Sequence, residues 1–113
     1  MDRFTMDGLI QAQQASDKSY HEFLRVPALS GGLYVLEAGA LDPQSPHSED
    51  EVYVVMKGHG EIMVDGEVQP VEPGTVVYVE AGVEHRFLNI TERLEVLVIF
   101  APAENSTESG KVG

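Results

Sequence analysis

Imidazole and carboxylate groups crowd the stretch PHSEDEVYVVMKG, residues 46–58, where His47, Glu49, Asp50 and Glu51 fall within five positions of one another. A second stretch, PGTVVYVEAGVEHRFLN at residues 73–89, brings His85. In a strand, alternate residues share a face, so Glu51, Tyr53 and Val55 point one way. His47 lies one short turn earlier and reaches the same side if the loop bends. His85, Phe87 and Asn89 alternate in the same manner. Two imidazole nitrogens and one carboxylate converging in this way suit a divalent first-row ion such as Fe, Mn, Ni or Zn. A 2-His-1-carboxylate set also leaves positions open for a small-molecule ligand. The plainer alternative is that Glu51 is a solvated acid at a strand start and the histidines are structural or exposed. Asp50 and Glu49 read as solvated acids. If chemistry takes place here, Tyr53 and Glu49 are the candidate proton-handling groups.

The elements that position these residues are β-like. From residue 20 onward, short apolar runs alternate with Gly, Pro and Asp-Gly punctuation. Strands are expected near 21–26, 32–38, 51–56, 61–65, 67–71, 75–79, 84–89 and 94–100. Asp65-Gly66 tolerates the positive φ of a type I′ hairpin turn, and Pro73-Gly74 marks another reversal. Runs such as Val76–Val79 and Val96–Phe100 are nearly continuous and call for cover on both faces, which favours a curled, closed sheet. Residues 1–20 form either a short helix, with Thr5 or Asp7 as N-cap, or a loose arm. The barrel is expected over 21–102 and a flexible tail over 103–113, where apolar residues become scarce. Met63, Phe87, Val98 and Phe100 are the expected pocket residues beside Tyr53.

Spacing carries a resemblance. Gly39 is followed after five residues by Ser45, then His47, Glu51 and Gly58 at intervals of one, three and six residues. Gly74 is followed after five residues by Glu80, then Gly82, His85 and Asn89 at intervals of one, two and three. This order resembles the paired motifs of the cupin superfamily, G-x5-H-x-H-x3–4-E-x6-G and G-x5-P-x-G-x2-H-x3-N, and eight of ten motif positions agree. The match covers residues 39–89 and is similar to small stand-alone single-domain cupins. It implies an all-β fold, a single jelly-roll β-barrel (double-stranded β-helix), with a metal on His47, Glu51 and His85. Ser45 stands where the family's first histidine sits. Gln44 is the nearest substitute ligand if the segment bulges, or else caps the loop. Glu80 replaces the motif proline and touches no ligand.

Length and charge bound the rest. A chain of 113 residues holds one core. A formal charge of −12 repels nucleic acid and anionic membrane surfaces. No apolar run reaches the roughly 20 residues of a spanning helix. The lack of cysteine excludes disulfides and thiolate metal sites, and it suits a reducing cytoplasm. Arg25 and Arg86 could meet an anionic substrate, or simply pair with the abundant acids. The resemblance implies an enzyme of dioxygenase, isomerase or lyase type acting on a small oxygenated molecule. A non-catalytic ligand-binding or sensing module is the alternative. The strand LEVLVIF, residues 94–100, is apolar on both faces and needs an outer layer, from the N-terminal segment or from a second subunit. The resemblance to small cupins implies the latter, so a homodimer is the expected assembly.

Overall fold

The computed structural model describes residues 1–43 and 46–105. Its elements are a helix α1 (Met6–Ser16) and six strands: β1 (Tyr20–Val26), β2 (Leu29–Leu36), β3 (Asp50–Val64), β4 (Glu67–Val71), β5 (Val76–Val79) and β6 (His85–Ala101). The sheet order is β1-β2-β6-β3-β4, with β5 pairing against β3, and every pairing is antiparallel. The fold is the all-β jelly-roll that the motif order implied. No helix among the described residues is long and apolar enough to cross a membrane.

Strand parity builds the interior. Along β3, Glu51, Tyr53 and Val55 are buried while Val52, Val54 and Met56 are only partly covered. From β6, Val96, Val98 and Phe100 meet them in one core with Tyr34, Leu36, Ile62 and Phe87. Burying side chains of this size contributes about 1.5–3 kcal/mol each. β2 is buried along nearly its whole length because it has cover on both faces. Tyr34 and Leu36 face the interior, and Leu33 and Val35 join Leu9 of α1 in a second, outer cluster.

That outer cluster answers the question raised by β6. Leu97 packs there with Met6, Ile10 and Phe23 of the same chain, so a second subunit is not needed to cover it. The dimer expectation therefore no longer follows from this strand. Thr5, in extended conformation, caps α1 by accepting from the Gly8 amide at 3.2 Å. This settles helix against loose arm, and Thr5 against Asp7 as N-cap.

Two expected breaks are not breaks. The glycines of KGHGE read as a turn between two strands, yet β3 runs through them, and β6 likewise joins the expected 84–89 and 94–100. The register shifts between Val55 and Glu61 of β3 against Val96 and Leu88 of β6, so the long ribbon bends through bulges. Gly58 makes the bend possible: its φ is +97°, and a Cβ there would lie 2.1 Å from the Arg93 carbonyl oxygen. Gly58→Ala is expected to cost about 3 kcal/mol, from positive-φ strain of about 1–3 kcal/mol and a backbone overlap that pushes β3 from β6. Urea unfolding checks this, and a loss below about 1 kcal/mol would show that the ribbon bends without needing glycine.

The expected tail also begins too early. Ala103 is buried, its amide donates to the Pro27 carbonyl, and the Glu104 amide donates to Ser30 Oγ at 2.8 Å. Residues 103–105 therefore belong to the barrel. Ala103 is small enough to be buried despite the polar composition around it, and two backbone bonds tie it and Glu104 down.

Candidate metal centre

Glu51 opens β3 and His85 opens β6, and both point into the barrel with only 1% of each side chain exposed. In the sheet register His85 stands opposite Val64 and Glu51 opposite Phe100, so the two meet across the interior of the curled sheet rather than as strand neighbours. His85 Nε2 lies 3.0 Å from Glu51 Oε1. The other ring nitrogen, Nδ1, lies 2.9 Å from the Val83 carbonyl. A carbonyl only accepts, so Nδ1 carries a proton, and a neutral His85 turns the lone pair of Nε2 toward a carboxylate. Apart from each other, neither the Glu51 oxygens nor His85 Nε2 has a hydrogen-bond partner among the described residues. Two lone pairs this close and this buried require either a proton on one of the two groups or a metal ion between them.

His47 supplies the third corner. It sits on the connector from β2 to β3, partly buried, and ligand atoms of His47, Glu51 and His85 all lie within 4.8 Å of one another. The His47 ring stands 5.0 Å from that of Phe100 and 5.5 Å from that of His85. Donor chemistry, burial and mutual distance all fit a divalent ion at this point. His85 responds to its neighbours: burial lowers its basicity, but Glu51, the Val83 carbonyl and Asp42 outweigh that and hold the pKa above its ordinary value.

The connector is fixed by a buried acid that sequence reasoning passed over. Asp42 accepts from the Tyr34 hydroxyl at 2.6 Å and from the Phe87 amide at 2.8 Å, so it fastens the connector to β2 and β6. Nothing in LDPQ distinguishes Asp42 from a loop acid, because its partners are 8 and 45 residues away. Asp42→Ala is expected to cost about 3 kcal/mol, since bonds to a charged acceptor are worth about 1.5–3 kcal/mol each. Asp42→Asn, which retains one acceptor oxygen, should lose about half of that in urea unfolding. Equal stability of all three proteins would exclude Asp42 as the clamp.

Beside the three candidate ligands lies a cavity of about 180 Å³, reached by Tyr20, Tyr34, Tyr53, Val98, Phe100 and Glu104 as well as by His47 and Glu51. Tyr53, Val98 and Phe100 thus stand where the sequence placed them, and Phe87 is buried behind Tyr53 at a ring distance of 4.9 Å. Met63 does not: Ile62 is the inward residue of that pair, and Met63 sulfur instead accepts from the Gly66 amide at the hairpin. The misplacement is one of parity across the bulge, since each extra residue flips the face that follows. Glu49 is 2% exposed rather than solvated, accepts from the Ser48 hydroxyl, and does not line the cavity. Asp50 is exposed and accepts from the Ala81 amide. Gln44 and Ser45 lie outside the described residues.

Two cavity residues had no signal in the sequence. Tyr20 lies against Gly32, and its hydroxyl is buried without a partner. Burial, with help from Glu104, Glu22 and Glu51, pushes the phenol well above its ordinary range, so it stays protonated. Glu104 comes from beyond the last strand, with Oε2 3.9 Å from His47 Nδ1. Burial, together with repulsion from Glu22, Glu51 and Glu49, pushes its pKa up to about 7 against the opposing Arg25. Arg25 and Arg86 are exposed and engaged with Glu22 at 3.0 Å and Glu84 at 3.8 Å. His59, exposed, pairs with Glu92.

A family model described as Cupin domain matches residues 32–100. An uncharacterized protein of Streptomyces coelicolor is 48% identical over 105 residues, covering 93% of this chain and 100% of its own length. A protein of Pyrococcus abyssi named glucose-6-phosphate isomerase is 28% identical over 107 residues, covering 90% of this chain but only 56% of the isomerase. This chain thus spans about half the length of that relative. Among solved structures, a Cupin 2 conserved barrel domain protein from Salinispora arenicola superposes with a TM-score of 0.71 at 21% identity, over 89% of this chain and 88% of the other. KdgF from Halomonas sp. does so with a TM-score of 0.68 at 20% identity, over 74% and 76%. At such identities the likeness speaks for the fold.

Proposed function

This chain belongs to the cupin domain family, and we propose that its barrel holds a divalent transition metal on His47, Glu51 and His85 and transforms a small oxygenated organic molecule in the adjoining cavity. The observation that carries the proposal is the buried approach of His85 Nε2 to Glu51 Oε1 at 3.0 Å with the ring proton turned away to Val83. Such a pair needs a proton or a metal ion between its lone pairs, and a His47 ligand atom within 4.8 Å of both supports the metal.

When bound, the ion would act as a Lewis acid toward a substrate oxygen, or as a redox centre if it is iron. The chain's own groups do the rest. Val98 and Phe100 give the cavity an apolar wall that excludes water, and Tyr53, fully buried beside the ligands, is placed to deliver a proton. Dioxygenase, isomerase and lyase chemistry all fall within this description. Protein purified without chelators should carry close to one equivalent of metal per chain by elemental analysis. Oxygen uptake and product formation across catechols, thiols, keto acids and sugars then test turnover. Protein that arrives metal-free and takes up no Fe, Mn, Ni or Zn would sink the reading.

One observation favours a second reading, a binding or sensing module without turnover. Glu49, one of the two acid–base candidates, lies off the cavity wall. Ligand binding without turnover in the same panel would decide for that reading.

A further inference from the structure

The cavity walls carry an unusual balance of polar groups. Acceptors are present in Glu51 and Glu104, a protonated donor is present in Tyr20, and among the described residues no lysine or arginine lines the space. Among the nearby cations, Arg25 is turned out to Glu22 with its side chain 45% exposed. The Tyr20 hydroxyl is buried and has no partner of its own, which leaves a donor awaiting an acceptor. A carboxylate or phosphate on a ligand that enters beside Glu104 finds no lysine or arginine among the described wall residues to meet it, and only the metal corner at His47 and Glu51 would offer a positive charge. An unpaired buried charge costs several kcal/mol, whereas a hydroxyl both donates and accepts.

We propose that this cavity selects uncharged, hydroxyl-bearing small molecules, with Tyr20 Oη donating to the ligand and a carboxyl oxygen of Glu104 accepting from it, and that it rejects their carboxylated or phosphorylated analogues. The volume of about 180 Å³ corresponds to the space of about six waters, enough for a ring of that class. The proposal rests on the reading of this cavity as the ligand site. It also separates this chain from relatives named for a sugar phosphate: no side chain on the wall is built to hold a phosphate. Selection falls to the segment after β6 and to the first residue of β1, not to the metal ligands.

The test is isothermal titration with catechol and with 3,4-dihydroxybenzoate, on zinc-loaded and on metal-free protein. Catechol is expected to bind about tenfold or more tighter than the acid in both forms, the equivalent of about 1.4 kcal/mol. Glu104→Lys should invert the order by admitting the acid, and Tyr20→Phe should weaken catechol about fivefold to tenfold. A residue of purely structural importance would weaken both probes together in Glu104→Lys and leave their order unchanged. The proposal is overturned if the acid binds wild-type protein as well as catechol does, if neither binds, or if the preference exists only with zinc bound. Failure to take up zinc, with the preference intact in metal-free protein, would refute the metal reading alone.

Discussion

Replacing His85 by alanine is expected to lower metal affinity by on the order of a thousandfold, so that the variant leaves purification essentially metal-free. Loss of a residue that merely orients a ligand already costs about 10–100-fold, and His85 is itself one of three candidate ligands among the described residues. The experiment has a physical complication. Glu51 is 1% exposed and faces His85, so His85→Ala strands a buried carboxylate, a defect that costs about 3–5 kcal/mol when it stays charged. The informative partner is the double variant His85→Gln with Glu51→Gln. It keeps volume and removes both charge and imidazole, and it should fold with a near-native circular dichroism spectrum. The prediction is therefore joint: the double variant is folded and metal-free, and His47→Ala alone loses metal with little change in stability, because His47 is partly exposed. Stoichiometric metal in the folded double variant would place the ion elsewhere.

The parts of this site legible in the sequence are those fixed by local geometry. Period-two alternation put Glu51 beside Tyr53 and His85 beside Phe87, and motif spacing tied the two strands together across the barrel. What the sequence hid depends on long-range pairing. Glu104 reaches the cavity through a bond from its amide to Ser30, 74 positions away, and the run around it contains almost nothing apolar to announce a buried segment. Asp42 is an acid in a loop-like context whose burial is decided by partners 8 and 45 positions away, and Glu49 is buried although it stands in a run of acids. Met63 was misplaced for another reason. Inward parity is conserved along a regular strand but not through a bulge, and Gly58 looked like the end of a strand when it is the bend inside one. Likewise LEVLVIF showed that β6 needed an outer layer, while only the packed helix showed that the layer comes from the same chain.

Metal-free protein is expected to be more stable at pH 5 than at pH 8.5, the reverse of what a chain rich in solvated carboxylates paired to bases would do. Two groups set the sign. Glu104 has a folded pKa raised to about 7 by burial and by the neighbouring acids, so it binds a proton more tightly folded than unfolded. Its contribution is fully present below its ordinary carboxylate range and is lost as pH rises through about 7. His85 is also held above its ordinary value despite burial, chiefly through Glu51. Its contribution is present below about 6.5 and fades as pH climbs through the folded pKa. Glu104 alone, with its side chain 21% exposed, is worth about 2 kcal/mol after allowing for screening. In a domain of this size that is a shift of about 10 °C in Tm. Bound metal opposes the trend, because the ion takes the place of the proton between His85 and Glu51. Zinc should therefore raise Tm strongly at pH 8.5 and hardly at all at pH 5, where a proton competes for His85. Glu104→Gln isolates the first group: its metal-free melting temperature should vary with pH by several degrees less than that of the wild type. If the two metal-free profiles coincide, Glu104 does not titrate in the buried setting described, and if zinc stabilises equally at both pH values, imidazole is not what holds it.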